Sequence, residues 1–183
     1  MTTGITQELA VELLRLPKYI MDEEKFTKKF FYEPQEPISN DRFILMSEQN
    51  TEYSFILEIY QSPKNQLKLT LHFQEDDAKI GLLRIDYNGS RHRNPMIVEP
   101  NLPQKFHPFA GQMLEVSHIH YYVEGYKPLA WAIPLDAEPE VNVKQLKNVH
   151  SQLQNIFTNF GEMINLQTSV KIKLDKGLFD ELD

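Results

Sequence analysis

Apolar and polar residues alternate most cleanly between residues 66 and 73, where Leu67, Leu69, Leu71 and Phe73 point one way and Lys68, Thr70 and His72 the other. This period of two predicts a half-buried strand. Similar runs occupy 42–48, 52–60 and 79–87, separated by the turn-forming stretches QN, QSPKN and EDD. Breaks this short join antiparallel neighbours. A second strand pair is predicted at 113–123 and 129–135, with a turn near Glu124–Pro128. Residues 88–112 have little periodicity and four prolines, which predicts a long loop.

Helical spacing brackets these strands. Ile5, Leu9, Leu13 and Leu16 recur at helical intervals until Pro17 stops the run, and Asp22 is placed to cap a second short helix carrying Phe26 and Phe30. YEPQEPISND (32–41) reads as a linker. Near the C-terminus Leu146, Val149, Leu153, Ile156, Phe157, Phe160 and Ile164 form one apolar stripe, with Asn142 and Gln145 spaced as a capping box. SVKIKL then offers an edge strand. The expected fold is α+β. A single domain over 1–183 has a helical segment at 1–31, a sheet region at 42–135, and a helix at 142–165 with a tail. One curved antiparallel sheet of about six strands would be packed by the long C-terminal helix and the N-terminal helices.

Composition narrows the chemistry. The chain has no cysteine, which excludes disulfides, zinc–thiolate sites, iron–sulfur clusters and a cysteine nucleophile. The first twenty residues mix acids and bases without a long apolar run, so neither a signal peptide nor a membrane span is expected, and the chain is expected to be cytoplasmic. A net charge of −7 argues against broad non-specific nucleic-acid binding. Arg91, His92 and Arg93 form the densest basic group.

The chemistry-bearing residues gather in HIHYYVEGY (118–126) and RIDYNGSRHRNP (84–95). Alternation puts His118, His120, Tyr122 and Glu124 on the polar side of their strand, with Ile119, Tyr121 and Val123 in the core. On the preceding strand Arg84 and Asp86 share a face. Were the two strands neighbours, these groups would form one patch, with His92 and Asn94 brought to its rim by the loop. Three chemistries suit it. Two imidazoles on a strand suit a divalent metal, given a third ligand among Glu124, Asp86 and His92. Two imidazoles with arginine also suit metal-free phosphodiester cleavage, with His118 and His120 as acid and base and Arg84 and His92 on the phosphate. The patch is equally a structural feature or a surface for a protein partner or RNA. A catalytic reading requires His92, His118 and His120 to converge within about 4–5 Å of a common point in a concave pocket. His72, His107 and His150 stand apart, and Trp131 reads as packing.

RIDYNGSRHRNP, HIHYYVEGY, WAIPL (131–135) and DKGLFD (175–180) together resemble a family of uncharacterised small bacterial and phage proteins, a domain of unknown function. The resemblance covers about residues 80–180. It picks out Arg84, Asp86, Gly89, His92, Asn94, Pro95, His118, His120, Tyr122, Glu124, Gly125, Tyr126 and Trp131. Val116-Ser117 stands where the family tends to have Gly-Pro, and Ala130 where it often has lysine, which leaves no lysine for a mechanism at that place. The resemblance supplies no reaction. It implies a phage or mobile-element origin, with a toxin-like ribonuclease or an inhibitory binding protein as the functions to weigh.

Overall fold

The computed structural model describes residues 4–62, 64–141 and 148–173. Helix α1 (Gln7–Arg15) starts at Thr6, whose side chain accepts from Leu9 N, and buries Ala10 and Leu13. There follow β1 (Tyr19–Met21), β2 (Lys28–Lys29), β3 (Phe31–Tyr32), β4 (Asn40–Met46), β5 (Ser54–Ser62), β6 (Asn65–Glu75), β7 (Ile80–Tyr87), β8 (His92–Arg93), β9 (Met113–Leu114), β10 (His118–Tyr121), β11 (Trp131–Pro134), helix α2 (Val149–Met163) and β12 (Ser169–Val170).

The fold is α+β with one large antiparallel sheet, in the order β11-β10-β7-β6-β5-β4-β1-β2. Eight strands replace the expected six. The two extra ones, β1 and β2, lie in the N-terminal segment 1–31 read as helical, β2 within the expected second helix and β1 just before its Asp22 cap. Phe26 and Phe30 have helical spacing, yet they are 80% and 64% exposed, so no apolar face holds a helix there. A β1–β2 hairpin forms instead, with Phe26 at a positive φ of 51° and its N–H on Asp22 O. The predicted C-terminal helix is present over Val149–Met163, and its N-cap is Asn148, which accepts from Ser151 N. The proposed cap at Asn142 lies outside the described residues. Strand β12 forms within the segment expected to be an edge strand, but it pairs in parallel with β3 in a separate two-stranded sheet rather than joining the large one.

One face of the sheet carries the core. Phe55, Leu57, Ile59, Leu71, Phe73, Leu83, Ile85 and Ile119 pack with Leu13 of α1 and Leu153, Ile156 and Phe160 of α2. Trp131 is fully buried against Phe106 and Tyr126, as its reading as packing anticipates. Residues 88–112 are held by backbone bonds rather than left slack: β8 pairs β9, Gln104–Phe109 make a 3-10 turn, and Gly111 N reaches Pro95 O. Among the described residues no helix is long and apolar enough to cross a membrane.

Candidate functional site

The site grows from one pairing. Strands β7 and β10 are antiparallel neighbours, and their register sets His118 opposite Asp86 and His120 opposite Arg84. Since side chains alternate along both strands, all four project from the same face. On the other flank β6 places Thr70 opposite Asp86 and His72 opposite Arg84. Asp86, His118 and His120 are 4%, 1% and 5% exposed.

Asp86 is the hub. Its Oδ1 accepts from Thr70 Oγ1 at 2.9 Å and from Arg84 Nε and Nη2 at 3.1 and 3.0 Å. Its Oδ2 lies 2.7 Å from Arg84 Nη2, 3.1 Å from His120 Nε2 and 3.6 Å from His118 Nε2. Burial by itself raises the Asp86 pKa, but the His120 hydrogen bond and the Arg84 charge outweigh it and hold the carboxyl well below the usual carboxylate range.

Backbone carbonyls fix the ring tautomers, because a carbonyl only accepts. His118 Nδ1 donates to Val116 O at 2.7 Å, and His120 Nδ1 to Leu129 O at 2.9 Å. Both Nε2 atoms therefore turn toward Asp86. His120 faces acceptors at both nitrogens, the arrangement of an imidazolium. His118 differs: its Nε2 is buried and has no hydrogen-bond partner among the described residues. Burial lowers the His118 pKa, with the Val116 carbonyl opposing and the nearby His120 charge adding to the fall. The ring is neutral, with an inward-facing lone pair. Leu129 reaches His120 from a left-handed backbone, φ 57°, and rests on Gly81, where a Cβ would stand 2.6 Å from Leu129 Cδ1. A side chain at Gly81 would have to displace the Leu129 side chain and would also crowd His72 Nε2.

His92 joins the two rings. Its centroid is 4.5 Å from His120 and 5.8 Å from His118. It is half-buried, its Nε2 donates to Ala130 O at 2.9 Å, and its pKa is lowered by burial and then by repulsion from His120. Asn94 holds the neighbouring edge strand: Oδ1 accepts from Ala132 N and Nδ2 donates to Ala132 O, each at 2.8 Å. It replaces the backbone partner that β11 lacks on its outer side.

Two predicted members are elsewhere. Strand β10 ends at Tyr121, so the alternation does not carry Tyr122 and Glu124 onto the histidine face. Tyr122 is buried and its hydroxyl donates to Ile5 O. Glu124 Oε2 accepts from Gln7 N at 2.8 Å, while Gln7 Oε1 accepts from Glu124 N at 3.0 Å. Glu124 thus satisfies a free N–H in the first turn of α1. Glu124→Ala is expected to cost about 1 kcal/mol in urea denaturation, the typical worth of such a cap. The lone histidines meet other partners: His72 Nδ1 pairs with Glu58, His107 with Leu102 O and His150 with Ile172 O. Thr70 was missed, although its alternation with His72 marks its face; Leu129 O leaves no trace in residue type.

Asp86, His118 and His120 each offer one ligand atom, and no two of these are more than 4.8 Å apart. The three histidine rings lie together, with centroids 4.5, 4.8 and 5.8 Å apart. Two partly open cavities are lined by other residues. The larger, of about 340 Å³, lies on the helix-covered face between α1, Phe106 and Tyr121. Residues 5–166 match the sequence profile of a family of unknown function (DUF6978), and the chain belongs to that family. No curated protein and no solved structure matches it.

Proposed function

We propose that this member of DUF6978 binds a divalent transition-metal ion through His118 Nε2, His120 Nε2 and Asp86 Oδ2, the ion displacing to solvent the proton that His120 Nε2 directs at Asp86. The observation that carries this reading is the His118 Nε2 lone pair, buried and without a hydrogen-bond partner among the described residues while 3.6 Å from a carboxylate oxygen. A buried polar atom left unpaired costs free energy, and a cation would use it. Spacing supports the reading. Two ligands bonded at about 2.0–2.1 Å to a tetrahedral ion stand roughly 3.3 Å apart. The 3.1 and 3.6 Å separations of the two Nε2 atoms from Asp86 Oδ2 bracket that value. The Nδ1–H bonds to Val116 O and Leu129 O are the outer support that orients metal-ligating imidazoles. Two imidazoles and a carboxylate suit zinc, and equally ferrous iron, and leave a coordination position open.

The phosphodiester reading has one observation in its favour: His120 donates at both ends like a general acid while His118 keeps a lone pair like a base. Exposures of 1% and 5% leave little room for a ribose phosphate beside them, so the metal reading is preferred. A mobile-element role rests on the resemblance alone.

Calorimetric titration of chelated protein with Zn²⁺ is expected to give one ion per chain. At a free concentration about 100 times Kd the ion would stabilise the fold by roughly 2.7 kcal/mol. His118→Ala with His120→Ala, which retains four histidines, should lose both effects. Absence of stoichiometric binding of Zn²⁺, Co²⁺, Mn²⁺ and Fe²⁺ to the wild type would overturn the proposal.

A further inference from the structure

We infer that the same site takes an oxyanion, bridged between the bound cation and Arg84, so that cation and anion binding reinforce each other. The inference rests on the metal reading above. Arg84 spends two of its three nitrogens on Asp86: Nε on Oδ1, and Nη2 on both oxygens. Its Nη1 has no acceptor among the described residues, and its side chain is 42% exposed while Asp86 is buried. The guanidinium is thus the solvent-facing cover of a buried ligand set.

A cation on Asp86 Oδ2 would compete with Arg84 for one atom. Nη2 sits 2.7 Å from that oxygen, so a metal bonded to it would stand close to a guanidinium charge. Asp86 Oδ1 would remain held by Thr70 and by Arg84 Nε, which keeps the carboxylate in place while Nη2 lets go. Arg84 would then present Nη1 and Nη2 beside an open coordination position. One oxygen of a phosphate-type anion would fill that position and another would accept from the guanidinium fork, whose planar geometry suits such groups. The anion's charge would also relieve the repulsion between metal and arginine. The cross-strand neighbours of Arg84 on this face are His72 and His120, neither a carboxylate, and Glu58 beyond His72 is tied to that ring at 3.0 Å.

The test uses Co²⁺ as the metal and methylphosphonate as the anion. Methylphosphonate is titrated into chelated and Co²⁺-loaded protein by calorimetry, with the visible Co²⁺ bands recorded in parallel. The expected result is anion affinity higher on the order of ten-fold with the metal bound, a typical coupling between two sites, and a shift of the Co²⁺ bands at saturation. Arg84→Gln should still bind Co²⁺ but lose the coupling, and Arg84→Lys should keep part of it. Where Arg84→Gln does not fold, the wild-type coupling, the band shift and Arg84→Lys decide. Co²⁺ binding without an effect on methylphosphonate, or an equal effect in Arg84→Gln, would overturn this inference and leave the metal site standing. No Co²⁺ binding would overturn this inference, and absence of Zn²⁺, Mn²⁺ and Fe²⁺ binding as well would overturn both.

Discussion

Replacing Asp86 by alanine is expected to destabilise the protein by about 3–5 kcal/mol, the range for breaking a buried ion pair from one side. The size of the effect comes from what is left behind. Arg84, His120, His118 and Thr70 all converge on this one carboxylate. Without it a guanidinium and a twice-donating imidazole face each other across β7 and β10 with no anion between them. Asp86→Asn keeps the shape and one acceptor oxygen, so it should cost about half as much. Urea denaturation at neutral pH reads both. Alanine tolerated within about 0.5 kcal/mol, the usual span of a surface substitution, would show that the cluster is not held together through Asp86.

The same carboxylate gives the fold an acid limit with a defined sign. Its folded pKa is depressed, although burial alone would raise it, because His120 and Arg84 outweigh burial. In the unfolded chain an aspartate titrates near 3.9. Its contribution is therefore fully present above about pH 4 and is lost as pH falls from there toward the lower folded pKa. Below pH 4 the wild type should lose stability faster than Asp86→Asn, which has no proton to take up at this position.

Much of this site was legible because a strand has only two faces. Alternation alone put Arg84 with Asp86 and His118 with His120, and the pairing of β7 with β10 is what made the two sets one cluster. The hairpin-length breaks between residues 42 and 87 told which strands would be neighbours there. The adjacency of β7 and β10 was harder to read, because 88–112 intervenes and no turn motif joins them. What failed did so for local reasons. Tyr122 and Glu124 continue the pattern of HIHYYVE in text, but the strand stops at Tyr121 and the backbone re-aims them toward Ile5 and Gln7. Phe26 and Phe30 imitate a helix face by spacing, and only their exposure shows that neither is buried in the core. The partners that fix the histidine tautomers are carbonyls of Val116 and Leu129, and a backbone oxygen has no residue type to read.

Lys18 is the second residue whose loss should be costly, with about 3–5 kcal/mol expected for Lys18→Met. Its side chain is fully buried, and Nζ donates to Leu14 O at 3.1 Å, Leu16 O at 2.7 Å and Ile164 O at 2.9 Å. Leu14 and Leu16 stand at the C-terminal end of α1, and Ile164 caps α2, so one amine satisfies carbonyls that both helices leave unpaired. The rings of Phe55 and Phe73 lie 5.0 and 5.2 Å away beneath it, which joins the two helix ends to the middle of the sheet. Methionine fills the volume and supplies no donor, so three acceptors, two of them in buried hydrogen bonds, lose their partner at once. Burial pulls the Lys18 pKa down to about 7, whereas the unfolded chain holds this proton to about 10.4. Between those values unfolding takes up a proton, so stability should rise with pH from about 7 toward 10, by at most about 1.4 kcal/mol per unit. Below pH 7 both states carry the proton and the slope vanishes. Lys18→Met should lack this slope altogether, which separates the titration of one amine from a general loss of packing. A variant with wild-type stability, or one that keeps the wild-type slope between pH 7 and 9, would remove Lys18 from this role.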